Sequence, residues 1–162
     1  MTTTTTSAPA TAPIEIRPLG HPGDLGWVVM AHGELYAAGT DPGPAAAWIA
    51  ERARRPADAD GERGPERVGC VFCVPGDDPE VAVLRILLVD PSARGHALGH
   101  RLVQTALQFA RDAGYRRMRL WTNDPLRAAR RVYLRHGFKL VEHAPHHSFG
   151  VDLVGQVYER AL

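Results

Sequence analysis

The spacing of apolar positions along the chain changes several times, and each change marks an element. Ile14-Glu15-Ile16-Arg17 alternates apolar and charged residues up to Pro18, which predicts a short first strand. Asp24 stands at a helix-cap position. It precedes Trp27, Val28, Met30, Ala31, Leu35 and Tyr36 at helical spacing, with Gly39 as the stop. Asp41-Pro42-Gly43-Pro44 breaks the chain. The alanine-rich stretch from Ala45 favours a helix reaching about Arg55, with a short strand over Trp48 to Glu51 as the alternative. Pro56 to Glu66 reads as a loop. Arg67 to Val74 reads as a strand and Gly76-Asp77-Asp78-Pro79 as a turn. Val81 to Val89, apolar except for Arg85, reads as a central strand buried on both faces and paired antiparallel with its predecessor.

After Asp90-Pro91-Ser92-Ala93 comes a long helical stripe of Leu98, Leu102, Ala106, Leu107, Phe109 and Ala110, stopped by Gly114. Met118 and Leu120 alternate with Arg117, Arg119 and Trp121 in a strand from Tyr115 to Thr122. Asp124 is expected to cap a helix with Pro125 at its first position. That helix carries Leu126, Ala129, Tyr133 and His136 on one stripe and ends at Gly137. A strand from Phe138 to Glu142, a loop from His143 to Gly150 and a last strand from Asp152 to Leu162 complete the order. This is a mixed α/β pattern without internal repeats.

With 162 residues, the chain is expected to form one domain over residues 14–162, preceded by a disordered tail over 1–13. That tail is rich in Thr, Ala and Pro and has neither the basic nor the apolar region of a secretory signal. No apolar run of membrane-spanning length occurs, so a cytoplasmic protein without membrane contact is expected. The formal net charge of +1, from 19 basic and 18 acidic residues, argues against direct nucleic-acid binding. Lys139 is the only lysine, and genome composition is the simplest cause of the arginine excess. Cys70 and Cys73 sit in a strand at a separation that points them to opposite faces, which suits neither a redox pair nor a metal site. No metal is expected, including at His96 and His100.

The stretch from Val89 to His100 carries the strongest chemical signal. A buried strand runs into a loop of small residues that opens a helix, where unpaired backbone N–H groups and the helix dipole favour an anion. Arg94 adds a fixed positive charge. Helix initiation alone explains the turn equally well. Its glycine spacing fits neither a Walker loop nor a dinucleotide fingerprint.

The order of elements and two local motifs resemble the GNAT family, the GCN-related N-acetyltransferases. Arg94, Ala97 and Gly99 stand at positions of the family's Arg/Gln-x-x-Gly-x-Gly/Ala loop, with Ala97 in place of the usual Gly. Ala129, Tyr133, Gly137 and Phe138 match a later family pattern. Gly23 to Val29, His32 to Tyr36, Leu120 to Asp124, His146 to Gly150 and Asp152 to Gln156 look similar to the acetyltransferase half of MarR–GNAT fusion proteins. The chain has no room for their winged helix and looks shorter between Tyr36 and Val68.

The resemblance implies a mixed, mostly antiparallel sheet with a V-shaped splay between two central strands, flanked by helices. It implies acetyl-CoA as co-substrate, bound by Leu87, Leu88, Val89, Arg94, Gly95, His96, Ala97, Leu98, Gly99 and His100, with Asn123 as a further contact. It implies transfer of the acetyl group to a primary amine by direct attack in a ternary complex, with Tyr133 as general acid. The strand glutamate that some family members use as base is replaced by Leu84 and Arg85. His146, His147, Glu34 or an ordered water are therefore the base candidates. His32, Glu34 and Tyr36 are expected to line the acceptor pocket. The acceptor is expected to be a small-molecule or peptide amine, and a homodimer is compatible with the family. The competing function is a catalytically degenerate acyl-CoA-binding sensor or partner module.

Overall fold

The computed structural model describes residues 13–24, 26, 46–52, 65–148 and 150–162. The helix expected between Leu25 and Gly39, and with it His32, Glu34 and Tyr36, lies outside them. Seven strands form one sheet in the order β1-β2-β3-β4-β5-β7-β6. They are β1 (Ile14–Pro18), β2 (Ala46–Arg52), β3 (Glu66–Pro75), β4 (Val81–Val89), β5 (Arg117–Asn123), β6 (Lys139–Ser148) and β7 (Val151–Ala161). Helix α1 (Leu98–Asp112) connects β4 to β5, and helix α2 (Arg127–Arg135) connects β5 to β6. All neighbours pair antiparallel except β4 and β5, which are parallel and need the α1 crossover.

One face of the sheet buries Trp48, Val71, Cys73, Leu84, Met118 and Leu120 against Leu98, Leu102, Ala106 and Leu107 of α1, together with Tyr133, Phe138 and Tyr158. The opposite face holds Ile49 and Cys70 with Leu19, Phe72, Ile86 and Leu88. The two cysteines thus belong to opposite layers, as their spacing requires. Burial pushes both thiols up to about 12, so they remain protonated and inert.

Three elements depart from the sequence reading, each for an identifiable reason. Ala46–Arg52 is strand β2 and not a helix. It pairs with β1 and β3 at once and buries Trp48, Ile49 and Ala50, which outweighs the helical preference of alanine. His143 to Ser148 continues β6 where a loop was expected. This edge strand is held by its ladder to β7 with little burial, so it carries no apolar alternation, and an edge tolerates Pro145. Asp124 does not cap α2. Its N–H donates to the Val154 carbonyl and its carboxylate accepts from the Val154 N–H, both at 3.0 Å. The helix starts later, after an N-cap residue, Leu126, that has no side-chain cap bond.

Asp24 ties the first three strands together. Its side chain is 1% exposed. Arg17 of β1 donates to it through both terminal nitrogens at 2.7 and 2.8 Å, and Arg67 of β3 donates through Nε at 2.9 Å. The backbone N–H groups of Gly20 and His21 complete its shell, and Arg17 also reaches Glu51 of β2 at 2.5 Å. The Arg17 hydrogen bonds are the main cause holding the Asp24 carboxyl far below the usual carboxylate range. A depressed folded-state pKa stabilises above the unfolded value, near 3.8, and that stabilisation is lost as pH falls through and below it. Asp24→Asn leaves two guanidinium groups short of an anion and is expected to cost about 3 kcal/mol at pH 7. Urea unfolding at pH 7 and pH 3 checks this: the wild type loses more stability on acidification than the variant does.

Candidate active site

The site begins where the β4–β5 ladder stops. Parallel pairing runs from Val81↔Arg117 to Leu84↔Leu120 and goes no further. Beyond Leu84 the β3–β4 register shifts, so that Cys70 faces Leu88 while Phe72 faces Arg85. The extra residue sits on β4, where Ile86 has φ +52°. A β-branched residue in the left-handed region is rare, and such a bulge bends its strand and strengthens the local twist. β4 therefore turns away from β5 and leaves its own edge unladdered beside it. The opening is a cleft of about 490 Å³ lined by Leu84, Ile86 and Leu87 of β4, Trp121 and Asn123 of β5, and Tyr133 of α2.

Tyr133 is buried, with edge contacts to Phe138 at 6.0 Å between ring centroids and a tilted contact to Tyr158 at 6.5 Å. Its hydroxyl donates to no described residue. Burial pushes its pKa up to about 12, so the phenol holds its proton at neutral pH. Leu88 and Val89 continue β4 beyond the cleft and pair with Cys70 and Gly69 of β3.

The turn after β4 is built from local bonds. Asp90 accepts from the Ser92 N–H at 2.8 Å, and Arg52 of β2 donates to the Ser92 hydroxyl and carbonyl. The chain then passes through Gly95 at φ +85° and Ala97 at φ +52°. Ala97 is the N-cap of α1 in the left-handed conformation and forms no side-chain cap bond, so the first N–H groups of α1 stay open to a ligand. A glycine there would adopt this conformation without strain; alanine pays for its Cβ. Arg94, Gly95 and His96 are exposed at this turn, and Leu98 is buried under it. Gly99 packs between Val132 and Val89 with room for ordinary contact only.

The expected histidines separate. His96 precedes the helix and bonds the Arg94 carbonyl at 3.1 Å. His100 turns to His136, Nδ1 to Nε2 at 3.3 Å, at the end of α2. Burial, then the neighbouring His100 and Arg160, lower the His136 pKa. Arg160 also donates to the His136 carbonyl. His147 points to solvent and bonds Asp152 at 2.7 Å. His146, on the alternate face, is brought against Asn123, a residue of the cleft wall. Its Nε2 lies 2.9 Å from Asn123 Oδ1, and its Nδ1 lies 3.0 Å from Ser148 Oγ. A carboxamide oxygen only accepts, so Nε2 carries the hydrogen and Nδ1 accepts from the serine hydroxyl. If Nδ1 is protonated, the hydroxyl rotates and accepts instead. Both charge states are satisfied with no movement of the ring.

The sequence reading did not single out Trp121, Ser148 or Gly155 as site residues. A tryptophan on the polar register of β5 and a glycine inside β7 were the available signals.

Comparisons agree with this architecture. The family model described as Acetyltransferase (GNAT) family matches residues 27–138. Human N-acetyltransferase 8B is 41% identical over 76 residues, covering 44% of this chain and 34% of that protein. Mycothiol acetyltransferase of Rhodococcus erythropolis is 33% identical over 87 residues, covering 54% of this chain and 25% of that protein. The chain thus spans between a quarter and a half of the length of such curated relatives. The crystal structure of Arabidopsis thaliana NAA60 in complex with acetyl-CoA superposes with a TM-score of 0.71 at 17% identity, over 93% of this chain and 99% of that one, which shows a common fold. The split sheet, the uncapped turn after β4 and the family match over more than half of the residues lead to one assignment: the chain belongs to the acetyltransferase (GNAT) family.

Proposed function

We propose that the protein transfers an acetyl group from acetyl-CoA to a primary amine within a ternary complex. The observation that carries this reading is the cleft where β4 parts from β5, with the protonated Tyr133 in its wall. The residues present fit acetyl-CoA. The free edge of β4 at Leu87, Leu88 and Val89 offers backbone groups to an extended pantetheine arm, in the manner of an added strand. The open N–H groups at the start of α1, with Arg94 beside them, suit its pyrophosphate. Gly95, His96, Ala97, Leu98, Gly99 and His100 form that turn and its first helical residues. The similarity of several segments to the acetyltransferase half of MarR–GNAT fusions belongs to this same reading.

Acetyl-CoA supplies a thioester whose carbonyl carbon is open to a nucleophile. An N–H near Leu88 stabilises the developing oxyanion. The amine nitrogen forms the new C–N bond as the C–S bond breaks. Tyr133 gives its proton to the departing thiolate, and the proton that the nitrogen sheds as the amide forms restores the phenol. His146 takes the ammonium proton at Nδ1, passed through the Ser148 hydroxyl. The bond to Asn123 supports this tautomer. His147, turned to solvent beside Asp152, has no such access.

Tyr133→Phe keeps the ring packing and removes the donor. It is expected to lower kcat about 100-fold while leaving acetyl-CoA affinity within about twofold, measured by thiol release and calorimetry. Unchanged turnover would overturn the acid role. Acetyl-CoA binding without turnover over a broad amine panel would favour the binding-module reading. Asn123→Leu removes the acceptor that holds His146 Nε2–H, so the ring loses its fixed tautomer and orientation; kcat is expected to fall about tenfold with the KM for acetyl-CoA little changed, measured by thiol release.

A further inference from the structure

A second, smaller cavity lies across β5, β7 and β6. It measures about 190 Å³, and its lining includes Trp121, Glu142, Ala144, His146, Gly155 and Val157. Register places these residues together. Trp121 opposes Val157, which opposes Glu142, and Asn123 opposes Gly155, which opposes Ala144. The cavity meets the cleft at Trp121, which borders both, and at Asn123, which lines the cleft and holds His146.

The sheet is built to seat the indole here. A Cβ on Gly155 would come within 2.9 Å of Trp121 Nε1 and 3.3 Å of Cε2, so only glycine lets the ring lie across β7. A glycine inside a strand weakens it, and here it makes room for a flat aromatic wall. Trp121 leans on His146 at 5.7 Å between ring centroids and is still 55% exposed.

We infer that this cavity is the acceptor subsite and that it takes a compact, apolar or aromatic primary amine with no carboxylate beside the nitrogen. This rests on the transfer reading above. The volume falls below the roughly 300–1,000 Å³ of sites for drug-sized ligands, which suits a single ring on a short arm. The lining carries one carboxylate, Glu142, and neither lysine nor arginine among the described residues. An ammonium is attracted by Glu142 and by the indole face, whereas a carboxylate on the acceptor meets like charge and finds no permanent cation, only the imidazoles of His143 and His146. His146 stands in the same lining, where the proton must leave.

Phenethylamine and phenylalanine share a skeleton and differ by the carboxylate, so they separate the classes. The expected result is a kcat/KM at least about tenfold higher for phenethylamine, with Glu142→Gln narrowing the ratio. Gly155→Ala pushes the indole into the cavity and is expected to raise the KM for the amine several-fold with the KM for acetyl-CoA unchanged. Equal or better use of phenylalanine, or an amine KM indifferent to Gly155→Ala, overturns the assignment. Binding is read without turnover by titrating phenethylamine against the Trp121 indole N–H resonance, identified with Trp121→Phe. A shift without turnover supports the subsite and counts against the transfer reading. Turnover without a shift overturns the subsite and leaves the transfer reading standing.

Discussion

Four residue pairs join β4 to β5, and beyond Leu84 and Leu120 the ladder is absent because β4 carries one residue too many. A bulge in the middle of a buried sheet is expensive. It puts Ile86 in a backbone region that a branched side chain rarely occupies, at a cost of about 1–3 kcal/mol. The surrounding order absorbs that cost. β3 keeps its hydrogen bonds to β4 on both sides of the bulge, and Ile86 and Leu88 still pack with Ile49, Cys70 and Phe72. The strand is held firmly on one edge so that the other can stay unpaired. The cleft is therefore built into the backbone, between β4 and β5, with Tyr133 in its wall.

Much of this was readable in the residues. The long apolar run of β4, the amphipathic stripe of α1 and the small residues between them identify a strand–turn–helix unit suited to an anion. The pattern from Ala129 to Phe138 led to Tyr133, which the fold buries in the cleft wall. The bulge itself left no trace, because Arg85-Ile86-Leu87 reads as an uninterrupted strand. Local preference misled at β2, where burial on both sides of the strand overrides alanine's helical tendency. It misled again at β6, whose order comes from hydrogen bonding to β7 and leaves no hydrophobic signature. The bonds of His146 to Asn123 and Ser148 join strands β5 and β6 through side chains far apart in sequence, so no local pattern reports them.

Polar groups in this protein work at two separate places by the same rule: each buried or half-buried ion or ring finds fixed partners on different strands. At the N-terminal edge, Asp24 gathers two arginines and two backbone N–H groups and locks β1 to β3. At the other end, His146 is held through both ring nitrogens. The first arrangement is frozen in one charge state, whereas the second accommodates two. The two arrangements thus differ in how many protonation states their partners accept.

The strand order also bears on how the chain reaches this structure. On each side of the β4–β5 seam some ladders close locally: β2, β3 and β4 are successive antiparallel neighbours, and so are β6 and β7. The β1–β2 and β5–β7 ladders, with pairs such as Ile14↔Arg52 and Arg117↔Ala161, close loops comparable in length to the one at the seam. Only the seam requires closing a loop that contains all of α1, and parallel registry across such a loop is the slow, entropically costly kind. The short ladder that leaves room for a ligand is thus also the one parallel junction between the two halves of the sheet. Lengthening it would close the cleft.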